Sequence, residues 1–210
     1  MSDKNSNWKF AEELVPEDDV TARARALSLE LGIEAVSPAL GAQCAVIAAA
    51  SAAKTIAEIG TGVGVSGLCL LSGATNAVLT SIDAEFDYQQ HARSFFAEAG
   101  IAANRLRLIT GLAREVLPRM NENSYDLVLV DGDPLYVIEF VENALRLVRQ
   151  GGTVLVPHAL WRGRVANPAL RDDVTTTFRT LATEIAASGA VVSALSPAGD
   201  GLLQITKRRA

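Results

Sequence analysis

The side chains able to do chemistry cluster at a few points. Glu58–Gly67 reads EIGTGVGVSG and directly follows a short apolar run. Glycine lets a backbone turn sharply and approach a ligand with no Cβ in the way. A helix starting after such a turn offers unpaired N–H groups to a negative group. Asp83 closes the next apolar run, a position that suits hydrogen bonds to the two hydroxyls of a ribose. Asp131 and Asp133 follow the run LVLV, and His158 stands just beyond TVLV. Carboxylates at the carboxyl end of a central strand lie where α/β proteins bind ligands, although Asp before a proline equally suits a turn. A histidine there can remove a proton near neutral pH, ligate a metal, or simply hydrogen-bond a loop.

Two ligand classes fit the glycine-rich turn. Gly62, Gly64 and Gly67 match G-x-G-x-x-G, and Asp83 lies 21 residues after Gly62. That spacing suits a nicotinamide dinucleotide, but the pattern alone is weak. The strand before it already ends at Gly60, so a dinucleotide fingerprint would start late. Glu58 ahead of the first glycine gives the different order E-x-G-x-G. A tight turn with no ligand is the third reading.

These groups must be held by strands and helices in alternation. Strand-like runs are Thr55–Ile59, Ala77–Ile82, Arg105–Ile109, Asp126–Val130 and Thr153–Val156. Helical patterns at Val65–Leu71, Glu85–Ala99, Ala113–Met120 and Leu135–Val148 separate them. Runs such as LVLV, apolar on both faces, belong to a parallel sheet covered on both sides. The alternation predicts a doubly wound α/β fold. After a helix at Ala169–Ser188, the runs Ala190–Leu195 and Leu202–Thr206 are joined by the turn-like SPAGDG and predict an antiparallel hairpin. Ahead of the alternation lie helices at Glu17–Leu31 and Pro38–Ala53. Residues 1 to about 16 read as loosely ordered or as a docking arm.

Composition narrows the class. The chain has 210 residues, 49% hydrophobic and 20% charged, with a net charge of −5. This is ordinary for one globular domain and argues against a general nucleic-acid binder. The two cysteines, Cys44 and Cys69, sit in apolar runs and suit a reducing cytoplasm. No run approaches the roughly 18 apolar residues of a membrane span. The polar, acidic start has neither the basic beginning nor the apolar stretch of a signal peptide.

EIGTGVGVSG, TSIDAE, TGLA, LVLVDGDPLY, GGTVLV, ALWRGRV and DGLLQITKR occur in the order found in class I methyltransferases. From about Val36 to the C-terminus the chain resembles the small catechol and caffeoyl-CoA type O-methyltransferases. The resemblance implies a Rossmann-like seven-stranded sheet with the last strand antiparallel, residues 36–210 forming the methyltransferase domain and 1–35 an added arm and helix. It implies S-adenosylmethionine as cofactor and a small phenolic or catechol-like hydroxyl as methyl acceptor. By similarity, Gly60 and Thr61 approach the methionine portion, with Glu58 beside them and Ser66 at the helix start. Val36 closes over the cofactor. Asp83 holds the ribose, Ala84 lies near the adenosine, and Gly111–Ala113 line the adenine. Asp131 and Asp133 face cofactor and substrate, and Trp161 borders the acceptor. A homodimer is also implied, with the Glu17–Leu31 helix and the arm as candidate contacts, while the cysteines and the polar start point to the cytoplasm.

The chain departs from the family at the metal. The usual divalent cation takes oxygen ligands from an Asp matched by Asp131 and from an Asp-Asn pair that falls here on Pro157 and His158. Pro157 offers no ligand. The lysine often found after D-x-D is Pro134. No metal site is therefore assigned, and His158 and Asp131 are the candidate catalytic pair. A nicotinamide-dependent oxidoreductase and a cofactor-binding protein without turnover are the rival readings.

Overall fold

The computed structural model describes residues 4–209. One sheet contains β1 (Thr55–Ile59), β2 (Val78–Asp83), β3 (Leu106–Thr110), β4 (Tyr125–Val130), β5 (Val148–Val156), β6 (Val191–Ser196) and β7 (Leu202–Lys207). Across the sheet the order is β3-β2-β1-β4-β5-β7-β6. β1 pairs in parallel with β2 and β4, β2 with β3, and β4 with β5. β7 runs antiparallel to both β5 and β6. The fold is the doubly wound, Rossmann-like, seven-stranded sheet with a terminal antiparallel hairpin. The strand order reverses beside β1, so a crevice opens at the carboxyl ends of β1 and β4.

Successive side chains along a strand point to opposite faces, and here both faces are dry. Ile56, Leu127, Leu129 and Leu155 enter one core beneath α2 (Asp19–Glu30), α3 (Pro38–Ala50), α4 (Val65–Gly73) and α5 (Phe86–Glu98). Ala57, Val128, Val130 and Val154 enter the other, beneath α7 (Val137–Leu147) and α8 (Asp173–Ala187). Side-chain caps fix several helix starts. Asp18 accepts from the Val20 and Thr21 N–H groups, and Asp172 from that of Thr175. Ser37 accepts from the Leu40 N–H, with Pro38 opening the helix.

Several boundaries differ from the sequence expectation. The first residues are helical rather than loose: α1 spans Lys4–Glu13. It is docked, since Glu12 accepts from the Ser37 hydroxyl at 2.8 Å and the Ala39 N–H at 3.0 Å. Residues 1–3 of the expected arm lie outside the described residues. The helix expected at Ala113–Met120 stops as α6 (Ala113–Val116) and ends in a 3₁₀ turn, because Pro118 cannot continue it. β5 begins at Val148, well before Thr153, because the chain leaves α7 directly into the strand. The helix expected from Ala169 begins only after its Asp172 cap. Among the described residues, no helix is long and apolar enough to cross a membrane.

Candidate active site

The crevice holds two adjoining clefts that share Gly60, Asp83 and Asp131. One, of about 130 Å³, is also lined by Glu34, Val36, Thr61, Ser66 and Tyr88. The other, of about 390 Å³, is also lined by Ala84, Ala113, Arg114, Asp133 and Tyr136. Taken together they fall in the size range of small-molecule and cofactor sites. Gly60 is where they meet. Its φ is +92°, and an added Cβ would lie 2.1 Å from the Asp131 carbonyl oxygen. Only glycine lets the ends of β1 and β4 come this close. The literal dinucleotide glycines do something else. A Cβ on Gly64 would press on Ala92, and one on Gly67 on Phe96, both residues of α5. Those two glycines serve helix packing.

Asp83 braces the turn. Its carboxylate accepts from the Gly62 N–H at 2.8 Å and from the Glu85 N–H at 2.9 Å. Each oxygen keeps a lone pair for a ligand hydroxyl. Gly111 donates its N–H to the Asp83 carbonyl, so it supports this strand end without lining either cleft.

Glu58 is not in the clefts but beneath them, fully buried. Ser66 donates to one carboxylate oxygen at 2.7 Å and Ser81 to the other at 2.5 Å. Because the single Ser81 proton goes to Glu58, Thr61 must donate to the Ser81 oxygen, 2.7 Å away. Gln89 in turn donates to Thr61 and accepts from Thr110. The chain of donors runs from Gln89 through Thr61 and Ser81 to Glu58. Burial pushes the Glu58 carboxyl up to about 7, against the lowering effect of the two serine hydroxyls. Thr61 spends its hydroxyl here, which leaves its backbone to face a ligand. Ser81 and Gln89 escaped the sequence reading because serine in a strand and glutamine in a helix carry no motif.

Val36 is held from the N-terminal side. The Arg25 guanidinium donates to the Val36 carbonyl and to Glu17. At the fourth strand end, Asp133 caps the following turn by accepting from the Leu135 N–H while still lining the larger cleft. Over that cleft the Arg114 guanidinium stacks on Tyr136, 4.4 Å from the ring centre.

The other end of the site is built differently. His158, Trp161 and Arg162 all have left-handed backbone, with φ of +57°, +45° and +56°. Such conformations are uncommon outside glycine and concentrate at functional loops. His158 is 9% exposed, and neither ring nitrogen has a hydrogen-bond partner. Nε2 faces Asp131 Oδ1 at 3.7 Å, so the two candidate catalytic residues do come together. Nδ1 faces Glu34 Oε1 at 4.0 Å and Asp200 Oδ2 at 3.9 Å. Burial pushes the Asp131 carboxyl up, Glu34 adds to this, and His158 opposes it. Arg162 ties the loop down. Its backbone N–H donates to both Asp200 oxygens, and its guanidinium donates to Glu34. That guanidinium holds the Glu34 carboxyl below its ordinary range. Trp161 lies elsewhere, its indole stacked on Phe178 with ring centres 5.5 Å apart. The aromatic face beside this end is Trp8 of α1, which lines a groove with Pro38, Glu34, Arg162 and Asp200.

The metal ligand set usual in the resembling family does not fit these residues. Asp131 is in place, but Pro157 has no donor and His158 directs Nδ1 away from Asp131.

A parallel sheet with a final antiparallel pair, a glycine turn over a buried carboxylate, and a carboxylate ending β2 define the class: a Rossmann-like methyltransferase domain. The sequence profile of the O-methyltransferase family matches residues 18–208, and the chain belongs to that family. A Mycobacterium tuberculosis protein assigned to the O-methyltransferases is 45% identical over 199 residues, covering 94% of this chain and 89% of that one. A solved Corynebacterium glutamicum protein aligns with a TM-score of 0.89 at 29% identity, over 98% of this chain and 97% of that one. The O-methyltransferase TomG of Streptomyces achromogenes, solved in complex with SAM, aligns with a TM-score of 0.84 at 26% identity, over 98% and 99%.

Proposed function

We propose that this chain binds S-adenosylmethionine across the carboxyl ends of β1, β2 and β4 and methylates a hydroxyl of a small, flat acceptor. The observation that carries the reading is the paired cleft in which Gly60, Asp83 and Asp131 meet. The residues present suit that cofactor. Asp83 keeps an acceptor lone pair on each oxygen for ribose hydroxyls, and Gly60, with no Cβ, lets β1 and β4 close together at the floor of both clefts. Val36, Thr61 and Ser66 line the methionine side above Glu58. Ala84, Ala113 and Asp133 line the adenosine side, with Gly111 behind them. TomG, with its bound SAM, supports the same assignment.

The bound cofactor supplies the electrophilic methyl group, so the protein's work is to orient two partners and manage one proton. His158 meets the acceptor oxygen and takes its proton, with Asp131 orienting the ring through Nε2. Trp8 and Pro38 supply an apolar wall suited to a phenolic ring. Action as a homodimer in the cytoplasm belongs to the same reading. It is supported by the exposed Leu29 of α2, by the exposed Leu31 that caps that helix, and by two free cysteines.

Calorimetric titration with S-adenosylhomocysteine tests this. The wild-type protein is expected to bind in the micromolar range. Asp83→Ala is expected to keep the fold and lose about a hundredfold in affinity, roughly 3 kcal/mol of charge-assisted hydrogen bonding. No binding by the wild type would remove the cofactor assignment and bring NADH forward as the next ligand to titrate.

A further inference from the structure

We infer that His158, Glu34 and Asp200 form a divalent-cation site that keeps one ligand position usual in the family, His158, and draws its other two ligands from this chain's own residues elsewhere. His158 Nδ1, Glu34 Oε1 and an Asp200 carboxylate oxygen all lie within 4.8 Å of one another. Nitrogen and oxygen ligands around one cation, each bonded at about 2.0–2.2 Å, stand roughly 3–4 Å apart, so small side-chain rotations close the set.

A second observation points to the same place. Both nitrogens of the buried His158 ring are without a hydrogen-bond partner. Buried polar atoms left unpaired commonly mark a missing water or ion. The two nitrogens also face different kinds of group. Nε2 is turned to the single carboxylate of Asp131, and Nδ1 to the pair from Glu34 and Asp200. Metal-bound histidines have this habit: one nitrogen ligates while the other N–H is held by a carboxylate, which fixes the tautomer.

Charge and rigidity agree. Three carboxylates converge on the imidazole, and the Arg162 guanidinium pairs with one of them, Glu34. A divalent ion would offset the remainder. Arg162 also orients both ligating carboxylates through Glu34 Oε2 and the Asp200 oxygens, leaving Glu34 Oε1 turned toward His158. One imidazole with two carboxylates selects Mn²⁺ or Zn²⁺ over Mg²⁺, which prefers an all-oxygen shell. A cation here would polarise an acceptor hydroxyl in the adjoining groove and take over the proton handling assigned above to the free imidazole.

The test needs neither cofactor nor acceptor, so its failure leaves the methyltransferase reading untouched. Chelator-treated protein is titrated calorimetrically with Mn²⁺, Zn²⁺ and Mg²⁺, and the Mn²⁺ complex is examined by electron spin-echo spectroscopy for a nitrogen ligand. The expected result is one Mn²⁺ or Zn²⁺ per chain, with Mg²⁺ at least tenfold weaker and a ¹⁴N coupling present. Glu34→Gln and Asp200→Asn should each weaken binding about tenfold or more. Both are isosteric, and Asn keeps an acceptor for the Arg162 N–H, so unchanged melting temperatures separate ligand loss from unfolding. Absence of stoichiometric binding overturns the proposal. So does binding that survives both substitutions, which would return the cation to Asp131.

Discussion

The two ends of the crevice are built on opposite plans. At the cofactor end, a continuous chain of donors runs from Gln89 to Glu58, and Asp83 braces the turn through two backbone N–H groups. At the acceptor end, three non-glycine residues hold left-handed backbone and both nitrogens of a buried imidazole stay unpaired. The first end is pre-organised through its own hydrogen bonds. The second keeps its strongest donors and acceptors for something that arrives. A bound group that is the same in every turnover suits a finished receptor, whereas an acceptor or cation must find unspent valence.

The comparison breaks most easily at Gly60. Gly60→Ala places a Cβ 2.1 Å from the Asp131 carbonyl at a φ of +92°. We expect a loss of about 3 kcal/mol or more of stability and no measurable S-adenosylhomocysteine binding, read by urea unfolding and calorimetry. If Ala is tolerated there, the cofactor end is far softer than its hydrogen bonds imply.

Glu58 gives the next largest effect. Its carboxyl is raised to about 7 from an ordinary 4.5, so the folded state favours the protonated form. That contribution is fully present below about pH 4.5 and is lost as pH rises through 7. The wild type should therefore lose roughly 3 kcal/mol of stability across this window from this group. Glu58→Gln should flatten that slope in denaturant unfolding measured from pH 4.5 to 8. Equal slopes in the two proteins would mean that the donor chain fully compensates the burial.

The smallest effect sharpens the contrast. Trp161→Ala removes an indole that packs on Phe178 rather than on either cleft. We expect a stability loss of about 1–2 kcal/mol with S-adenosylhomocysteine affinity unchanged. An affinity change above a few-fold would show that the loop feels the cofactor end.

The same division governs what the sequence could disclose. β1 falls on Thr55–Ile59 as the apolar run implies, and the glycine turn and Asp83 follow it in order. A cofactor end assembled from contiguous strand–turn–helix units is written in local pattern. Where the pattern misled, a nearby residue explains it: Pro118 shortens the helix of α6, and Asp172 delays the start of α8. The partners of His158 had no such signature. Arg162 reaches Glu34 across 128 residues of chain and Asp200 across 38. Glu34 belongs to no motif, and Asp200, although it opens DGLLQITKR, is not marked there as a partner of His158, so only the tertiary fold could join them. Trp8 escaped for a related reason. Its helix is short and polar, and it is fixed through Glu12 to the start of α3 rather than by an apolar stripe.

The loop carrying His158 is held by the turn between the last two strands: Ala159 donates its N–H to the Gly201 carbonyl and Leu160 to that of Asp200. The final strand, β7, lies between β5 and β6 in the sheet. The acceptor end thus depends on a strand that comes after both of its neighbours in the chain and is inserted between them. Anything that loosens β7 from β5 therefore also loosens the backbone that carries His158, whereas the turn at Gly60 is held by β1, β2 and β4.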